Sequence, residues 1–232
     1  MPTLHVLSAG AAQSLIEALR REFGDAEGVH VHASFHPVGV TVDKLLAGEP
    51  CDVVVLTTRL LDELARGGDV QPDSIAPLGR VHTAIAVRAG DAAPDVTTAA
   101  ALRQALLAAD AIYLPDTQRS TAGAHCAAML RTMGIIEAAA PKLMSYPNGA
   151  AAMAALAQSR AVHPVGCTQV TEIAFTPGVV LVGPLPGEFE LATLYGIAVA
   201  ARAQQRDYAA RFAALLAGPV SRQLRRRSGF ET

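Results

Sequence analysis

The segment at residues 33–58, ASFHPVGVTVDKLLAGEPCDVVVLTT, limits the possible folds more than any other part of the chain. Its two ends are apolar and typical of strands, and its middle has a turn at His36-Pro37 followed by a helical pattern that ends at Gly48. A strand, a helix and a second buried strand in so short a segment predict a parallel β-α-β unit.

This unit also predicts where a ligand would bind. The turn after the first strand and the last residues of the second strand should lie at one edge of the sheet, where open α/β proteins bind small molecules. We therefore expect five residues of this segment to face a site: His36, Pro37, Val38, Thr57 and Thr58.

Strand and helix patterns alternate along the rest of the chain in the same way. The predicted strands cover residues 3–7, 29–35, 52–56, 82–88, 111–114, 142–145, 161–166, 179–182 and 193–200. A first predicted helix opens at residues 8–10 and has Leu15, Ile16, Leu19 and Phe23 at helical spacing. The later predicted helices cover residues 41–47, 60–65, 99–109, 122–133, 149–157, 168–173, 206–216 and 220–226. This order predicts an α/β protein of two Rossmann-like lobes, residues 1–82 with 191–232 and residues 83–190, joined by two strands with a cleft between them.

Composition excludes several classes of partner. The net charge is −2 and the one basic cluster, residues 222–227, lies in an amphipathic helical pattern, so we expect a solvated helix face and no nucleic-acid binding. No apolar run is long enough to span a membrane. The first residues form a strand pattern without the features of a leader, which predicts a cytoplasmic protein, or a periplasmic one if a signal peptide has been removed.

The cysteines and motifs predict neither a metal nor a cofactor. Cys51, Cys126 and Cys167 are odd in number and lack metal-ligand spacing, so we expect reduced thiols, with Cys51 and Cys126 in packing roles. His163 lies in a predicted strand and is expected in the core. The motifs of nucleotide-binding loops, zinc peptidases and serine hydrolases are absent from the sequence.

Three loops are predicted to precede helices at the binding edge: residues 8–11, 36–39 and 118–123. Free N–H groups and the helix dipole make such positions suitable for an anion, although serine and threonine also occur there as ordinary helix caps. Arg119 is either a clamp for a carboxylate or a surface residue. His36 is either a proton donor or acceptor or an exposed loop residue, and Cys167 is either a thiol activated at a helix start or a buried cysteine.

Five segments in order resemble the type II periplasmic solute-binding proteins, most closely the molybdate-binding branch. They are VLSAGAAQSLIEALRREF at residues 6–23, FHPVGVTVDKLLAGEPCDVVV at 35–55, YLPD at 113–116, TAG at 121–123 and LLAGPVSRQLRRRSGFE at 215–231. The resemblance covers nearly the whole chain and implies two α/β lobes that close on a ligand. It also implies an ABC transporter permease as a partner if the chain is exported.

The family's hydroxyl ligands for a tetrahedral oxyanion are replaced in this chain. The corresponding positions are Ala11, Pro37 or Val38, and Cys167. Each hydrogen bond left unmade to a buried oxyanion loses roughly 1–3 kcal/mol, which disfavours molybdate and tungstate. The implied ligand-binding set is Ser8, Ala11, His36, Pro37, Val38, Thr57, Thr58, Arg119, Ser120, Thr121, Ala122, Cys167, Thr168 and Gln169. A set this varied suits an organic carboxylate.

Two functions are consistent with these residues. The first is a binding protein that closes on a small organic anion. The second is an enzyme similar to the aconitate isomerases, which move a proton and a double bond in a tricarboxylate and therefore need carboxylate seats and a general acid or base. Cys167 and His36 are the candidate catalytic residues for that reaction. The sequence leaves the choice between these functions open.

Overall fold

The computed structural model describes residues 1–232 and divides them into two compact units. One unit comprises Met1–Val81 with Thr193–Thr232, and the other comprises His82–Ala192. The α/β class is confirmed. The predicted lobes, residues 1–82 with 191–232 and residues 83–190, differ from these units by one or two residues at each boundary. That the two units act as ligand-binding lobes stays a prediction.

Strands and helices alternate through both units. The strands are β1 (Thr3–Ala9), β2 (His30–His36), β3 (Val53–Thr57), β4 (Ala76–Arg88), β5 (Ala111–Pro115), β6 (Leu143–Tyr146), β7 (Pro164–Gln169), β8 (Val179–Pro184) and β9 (Ala192–Val199). The α-helices are α1 (Gln13–Glu27), α2 (Val38–Leu46), α3 (Thr58–Gly67), α4 (Ala99–Ala108), α5 (Thr121–Thr132), α6 (Ile136–Ala139), α7 (Gly149–Ala157), α8 (Val170–Phe175), α9 (Arg206–Ala217) and α10 (Arg222–Arg227). Five short 3-10 helices lie between them: Gly10–Ala12, Pro72–Ser74, Ala140–Lys142, Gly187–Phe189 and Pro219–Ser221.

The first unit has a sheet in the order β2-β1-β3-β9. β1 is parallel to both β2 and β3, and β9 is antiparallel to β3. Leu15 and Ile16 of α1 are fully buried, and the rings of Phe23 and Phe212 lie 4.9 Å apart between α1 and α9. The parallel arrangement predicted for residues 33–58 is therefore confirmed.

Asp52 connects three parts of this unit. Its buried carboxylate accepts hydrogen bonds from the backbone N–H of His5 at 2.8 Å, Gln204 at 2.7 Å and Gln205 at 2.8 Å. These bonds join the start of β3 to β1 and to the residues that precede α9. Gly48 has a left-handed φ of 83° where the chain leaves α2, a conformation that favours glycine.

The second unit has a sheet in which β7 and β8 are both antiparallel to β4, while β5 is parallel to β6 and β7. Apolar clusters form on this sheet. One includes Leu102 and Leu106 from α4 and Leu130 from α5. The other includes Met153 and Leu156 from α7.

β7 begins and ends three residues later than the strand predicted at residues 161–166. Its pairing with β4 and β5 includes residues 164–169, so it extends to Gln169 and the next helix, α8, also starts later than predicted. His163 is exposed before the strand and its backbone N–H donates to Asp110 at 3.1 Å. The expectation of a core histidine was therefore wrong.

The prediction that all three cysteines are reduced was also wrong. Cys126 of α5 and Cys167 of β7 form a disulfide within an apolar cluster, and each is 1% exposed. α5 packs on β7, which brings together two residues that are 41 positions apart in the sequence. Cys51 is a buried free thiol, as its predicted packing role requires, and burial raises its pKa to about 12.

The basic cluster at residues 222–227 is only partly a solvated face. Arg222, Arg226 and Arg227 are exposed, but Arg225 is 5% exposed. The Arg225 guanidinium donates to the carbonyl of Leu216 at 2.6 Å and to that of Gly218 at 2.8 Å, so this side chain satisfies the end of α9.

The disulfide is expected to stabilise the protein. Reduction of the wild type should lower the free energy of unfolding by about 2–4 kcal/mol, because the bond restricts the unfolded chain. Urea denaturation with and without reductant measures this loss, and the double variant Cys126→Ala/Cys167→Ala should not respond to reductant. Denatured, unreduced wild type should contain one titratable thiol, that of Cys51. Three thiols would contradict the bond.

Candidate functional site

The first unit brings two of the three predicted loops, residues 8–11 and 36–39, to one edge of its sheet, together with Thr57 and Thr58. β1, β2 and β3 are parallel and end at Ala9, His36 and Thr57. Ala9 and His36 are direct partners in the register of β1 and β2. The helical segments that follow these strands start at the same edge, so their first amide groups, which have no helical acceptor, also lie there.

Hydroxyl groups at this edge mostly have partners within the protein. The buried Ser8 hydroxyl donates to the Ala9 carbonyl at 2.8 Å. The Thr58 hydroxyl donates to the Leu194 carbonyl at 3.4 Å, and Thr57 caps α3 by accepting from the Leu60 N–H at 3.4 Å. The Ser8 proton is therefore used within the protein, whereas the 3.4 Å contact of Thr58 is long for an O–H donor and exposed. The predicted ligand-binding roles of Ser8 and Thr58 stay predictions.

His36 is the ionisable side chain at the end of β2. It is half-buried, and its Nε2 atom is buried without a hydrogen-bond partner. Burial, with a smaller contribution from the positive charge of Lys44, lowers the pKa of His36 below its ordinary value of 6.5. The imidazole is therefore mainly neutral at pH 7 and can accept a proton. Pro37 precedes α2 in an extended conformation, and Val38 is the first residue of that helix.

In the second unit, β5, β6 and β7 are parallel, and α5, α7 and α8 begin after their carboxyl ends. The loop that leads to α5 is organised by Asp116, whose carboxylate accepts from the N–H groups of Gln118 at 2.8 Å and Arg119 at 2.9 Å. These bonds lower the pKa of Asp116. The Arg119 side chain is exposed, and the predicted clamp for a carboxylate stays a prediction.

The first turn of α5 retains amide groups suited to an anion. Ser120 caps the helix by accepting from the Gly123 N–H at 3.4 Å. A side chain at Gly123 would place its Cβ 2.2 Å from the Asp116 carbonyl oxygen, so only glycine permits this close approach. Thr121 and Ala122 are the first two helical residues, and their N–H groups have no helical acceptor.

Glu172 is a buried carboxylate that sequence analysis did not identify. It accepts from the Thr168 hydroxyl at 2.5 Å and from the Gly149 N–H at 3.2 Å, at the start of α7. Burial raises the pKa of Glu172 despite these hydrogen bonds. In the sequence, only the spacing of Thr168 four residues before Glu172 could have indicated this contact, and such spacing is common. The Thr168 hydroxyl is thus committed to Glu172 rather than to a ligand.

Cys167 cannot have the predicted acid or base role while it is bonded to Cys126. It lies inside β7, not at a helix start, and its side chain is in the apolar cluster. Gln169, the last residue of β7, has a polar side chain that is not bonded to another residue. Gln169 is 3% exposed, and neither its Nε2 nor its Oε1 atom has a hydrogen-bond partner.

Comparison with known proteins identifies the family. The model of the bacterial extracellular solute-binding protein family matches residues 4–231. The chain is 30% identical to an aconitate isomerase of a Pseudomonas species over 89% of this chain and 79% of that protein. The chain therefore belongs to the family of bacterial extracellular solute-binding proteins, which confirms the resemblance found in the sequence.

Solved structures confirm the type II fold. The periplasmic molybdate-binding protein of Azotobacter vinelandii has a TM-score of 0.80 and 16% identity, with 99% of each chain covered. The L-phospholactate-bound PEB3 has a TM-score of 0.69 and 14% identity, also with 99% of each chain covered, and PEB3 comes from Campylobacter jejuni. No helix of the chain has both the length and the apolar character needed to cross a membrane.

The raised pKa of Glu172 predicts a pH dependence of stability. Because the folded protein holds this proton more tightly than the unfolded chain, the stabilisation is complete below the unfolded value of about 4.5 and is lost as pH rises through the folded pKa. The free energy of unfolding of wild type relative to Glu172→Gln should fall in that window by at most about 1.4 kcal/mol per pH unit. Denaturation at a series of pH values measures it.

The exposed Glu188 lies in the same unit and provides a matched control. Glu188→Gln should leave the wild-type pH dependence unchanged. A pH profile of Glu172→Gln that is parallel to that of wild type would show that Glu172 does not titrate in this way.

Proposed function

We propose that this protein binds a small organic anion with carboxylate groups, using loops at the carboxyl ends of parallel strands. The observation that carries this proposal is the use of the candidate hydroxyl donors. Ser8 and Thr168 donate their hydroxyl protons to protein acceptors at 2.8 Å and 2.5 Å. An inorganic tetrahedral oxyanion would lose these donors, and the roughly 1–3 kcal/mol for each missing bond weakens its binding.

The groups that remain suit a larger and less uniform ligand. Backbone amides at the starts of α2 and α5 can receive carboxylates. His36 Nε2 and the Gln169 carboxamide are unpartnered and can act as either donors or acceptors, depending on the atom and protonation state. The aconitate isomerase relative and the phospholactate complex of PEB3 support an organic acid as the ligand.

A thermal-shift screen tests this proposal. We expect citrate or an aconitate isomer to raise the melting temperature at micromolar to millimolar concentrations, and molybdate and sulfate to have little effect, because a ligand stabilises the state that binds it. Strong stabilisation by molybdate alone would reject an organic anion as the ligand.

Substitution of an amide donor tests the location of the site. Thr121→Pro removes one N–H at the first position of α5, where proline is tolerated after the extended Ser120. Affinity should fall roughly 10- to 100-fold, the loss expected for a hydrogen bond to a charged group. Ala99→Pro is the matched control, because it makes the same change at the first position of α4 after the extended Thr98. Equal affinities in the two variants would place the ligand elsewhere.

A second candidate function is isomerisation of an unsaturated tricarboxylate. The aconitate isomerase relative favours it. In such a reaction a base removes a proton from the carbon next to the double bond, the double bond shifts, and a proton is returned at the other end of the three-carbon system. His36 is the remaining candidate of the two catalytic residues, since its lowered pKa leaves the imidazole neutral and able to accept the proton.

Deuterium exchange tests catalysis directly. Incubation with trans-aconitate in D2O, followed by NMR, should show incorporation of deuterium and formation of the cis isomer. The rate should be constant near pH 7 and fall as pH drops through the lowered pKa of His36, because the protonated imidazole is not a base. His36→Gln should abolish exchange, while the exposed His30→Gln should retain it. Wild type that shows no exchange excludes this reaction.

The disulfide supports a location in an oxidising compartment, where such bonds form and persist. There the protein would deliver its anion to an ABC transporter permease, as members of its family do. The thiol titration described for the disulfide tests the compartment when it is applied to protein freshly isolated from cells. Three reactive thiols in the fresh protein, with only one after purification in air, would favour a reducing location.

A further inference from the structure

Two residues that are paired across neighbouring strands of the second unit have buried polar side-chain atoms without hydrogen-bond partners in the protein. Thr83 of β4 and Gln169 of β7 are directly paired in the antiparallel register, and they are 1% and 3% exposed. The hydroxyl oxygen of Thr83 and both carboxamide atoms of Gln169 have no partner. Buried polar groups are nearly always hydrogen-bonded, so three such atoms in one place point to a ligand that completes them.

The strand register places this pair beside the first turn of α5. Residues two apart on a strand share one face of the sheet, so Gln169 lies on the face of Cys167. Cys167 is bonded to Cys126 of α5, and α5 runs back along the sheet after β5, which is parallel to β7. From Cys126 to Ala122 the helix advances about 6 Å, and from Cys167 to Gln169 the strand advances about 6.6 Å in the same direction.

The amide groups of Thr121 and Ala122 therefore lie near the Gln169 carboxamide. The neighbouring Thr168 points to the opposite face, where it donates to Glu172. Glu172 accepts from the backbone N–H of Gln169, but neither Thr168 nor Glu172 bonds to the Gln169 carboxamide. The N-terminal amides of α5 and the unpartnered carboxamide are therefore on the same face and at the same end of β7.

The chemistry of Gln169 restricts the ligand. Its Nε2 donates hydrogen bonds and its Oε1 only accepts them, while Thr83 offers a hydroxyl that can do either. A carboxylate, or a fully deprotonated oxyanion such as sulfate or molybdate, supplies acceptors but no donor. A ligand that satisfies Oε1 needs an O–H or N–H group next to its negative charge.

We infer that Gln169 and Thr83 form a subsite for a ligand hydroxyl, so that the bound anion is a hydroxycarboxylate. Its carboxylate accepts from the first amides of α5, and its hydroxyl donates to Gln169 Oε1 and accepts from Gln169 Nε2 or Thr83. This inference rests on the proposed binding of an organic anion. Aconitate has no hydroxyl group, so the subsite also separates the binding function from the isomerase.

Pairs of ligands that differ only in one hydroxyl test the subsite. Isothermal titration should show that wild type binds citrate at least tenfold more tightly than tricarballylate, or malate at least tenfold more tightly than succinate. A site built to bond a hydroxyl rejects an analogue that lacks it, because its buried groups are then left unpaired.

Gln169→Leu and Thr83→Val remove the polar groups at nearly constant shape. Both variants should lose most of the preference for the hydroxylated ligand. The unliganded variants should melt at or above the wild-type temperature, since they bury fewer unpartnered groups. Gln158→Leu, at an exposed position after α7, is the matched control and should keep the wild-type preference.

The outcomes distinguish this inference from the proposed function. Wild type that binds neither member of either pair contradicts the binding of such anions as a whole. Wild type that binds both members with equal affinity overturns the hydroxyl subsite alone and needs no variant. A preference in wild type that persists in both Gln169→Leu and Thr83→Val places the hydroxyl contact at other residues and also overturns the inference.

Discussion

Parallel pairing of the strands determines where this protein can bind a ligand. β1 pairs in parallel with β2 and β3, and β5 pairs in parallel with β6 and β7. Parallel neighbours need crossovers, so the helical segments that follow β1, β2 and β3 start at one edge of the first sheet, and α5, α7 and α8 start at one edge of the second. The amides at those helix starts cannot be satisfied by the helices themselves. Two edges with free amides suited to an anion therefore follow from topology, before any side chain is considered.

Local patterns predicted the part of the fold that depends on neighbours in the sequence. The segment at residues 33–58 was predictable because Pro37 and Gly48 mark the two ends of α2. The apolar run that follows is also short enough to indicate a buried strand. The loops at Ser8, His36 and Ser120 were placed at sheet edges for the same reason. The role of Asp52 was not predictable, because its partners at residues 204 and 205 lie about 150 positions away.

Distant pairing determined the features that sequence patterns missed. Residues 161–163 were predicted to belong to the strand, but the pairing of β7 with β4 and β5 begins only at residue 164. That shift moved Cys167 from a helix start into the core, where α5 supplies Cys126. A thiol expected to carry chemistry is consequently part of the scaffold. The same shift placed Thr168 and Gln169 at the end of the strand, with their side chains on opposite faces.

The side chains of the neighbouring residues Thr168 and Gln169 have different consequences for the stability of the protein. Thr168 and Glu172 satisfy each other, and their bond helps hold the start of α7. Gln169 is just as buried but unsatisfied, and leaving a polar group in that state costs about 1–3 kcal/mol out of a typical total stability of about 5–15 kcal/mol. Folding alone would favour leucine at this position. Because the carboxamide weakens the unliganded state and a suitable ligand would complete it, the cost of Gln169 is best explained by selectivity for the ligand.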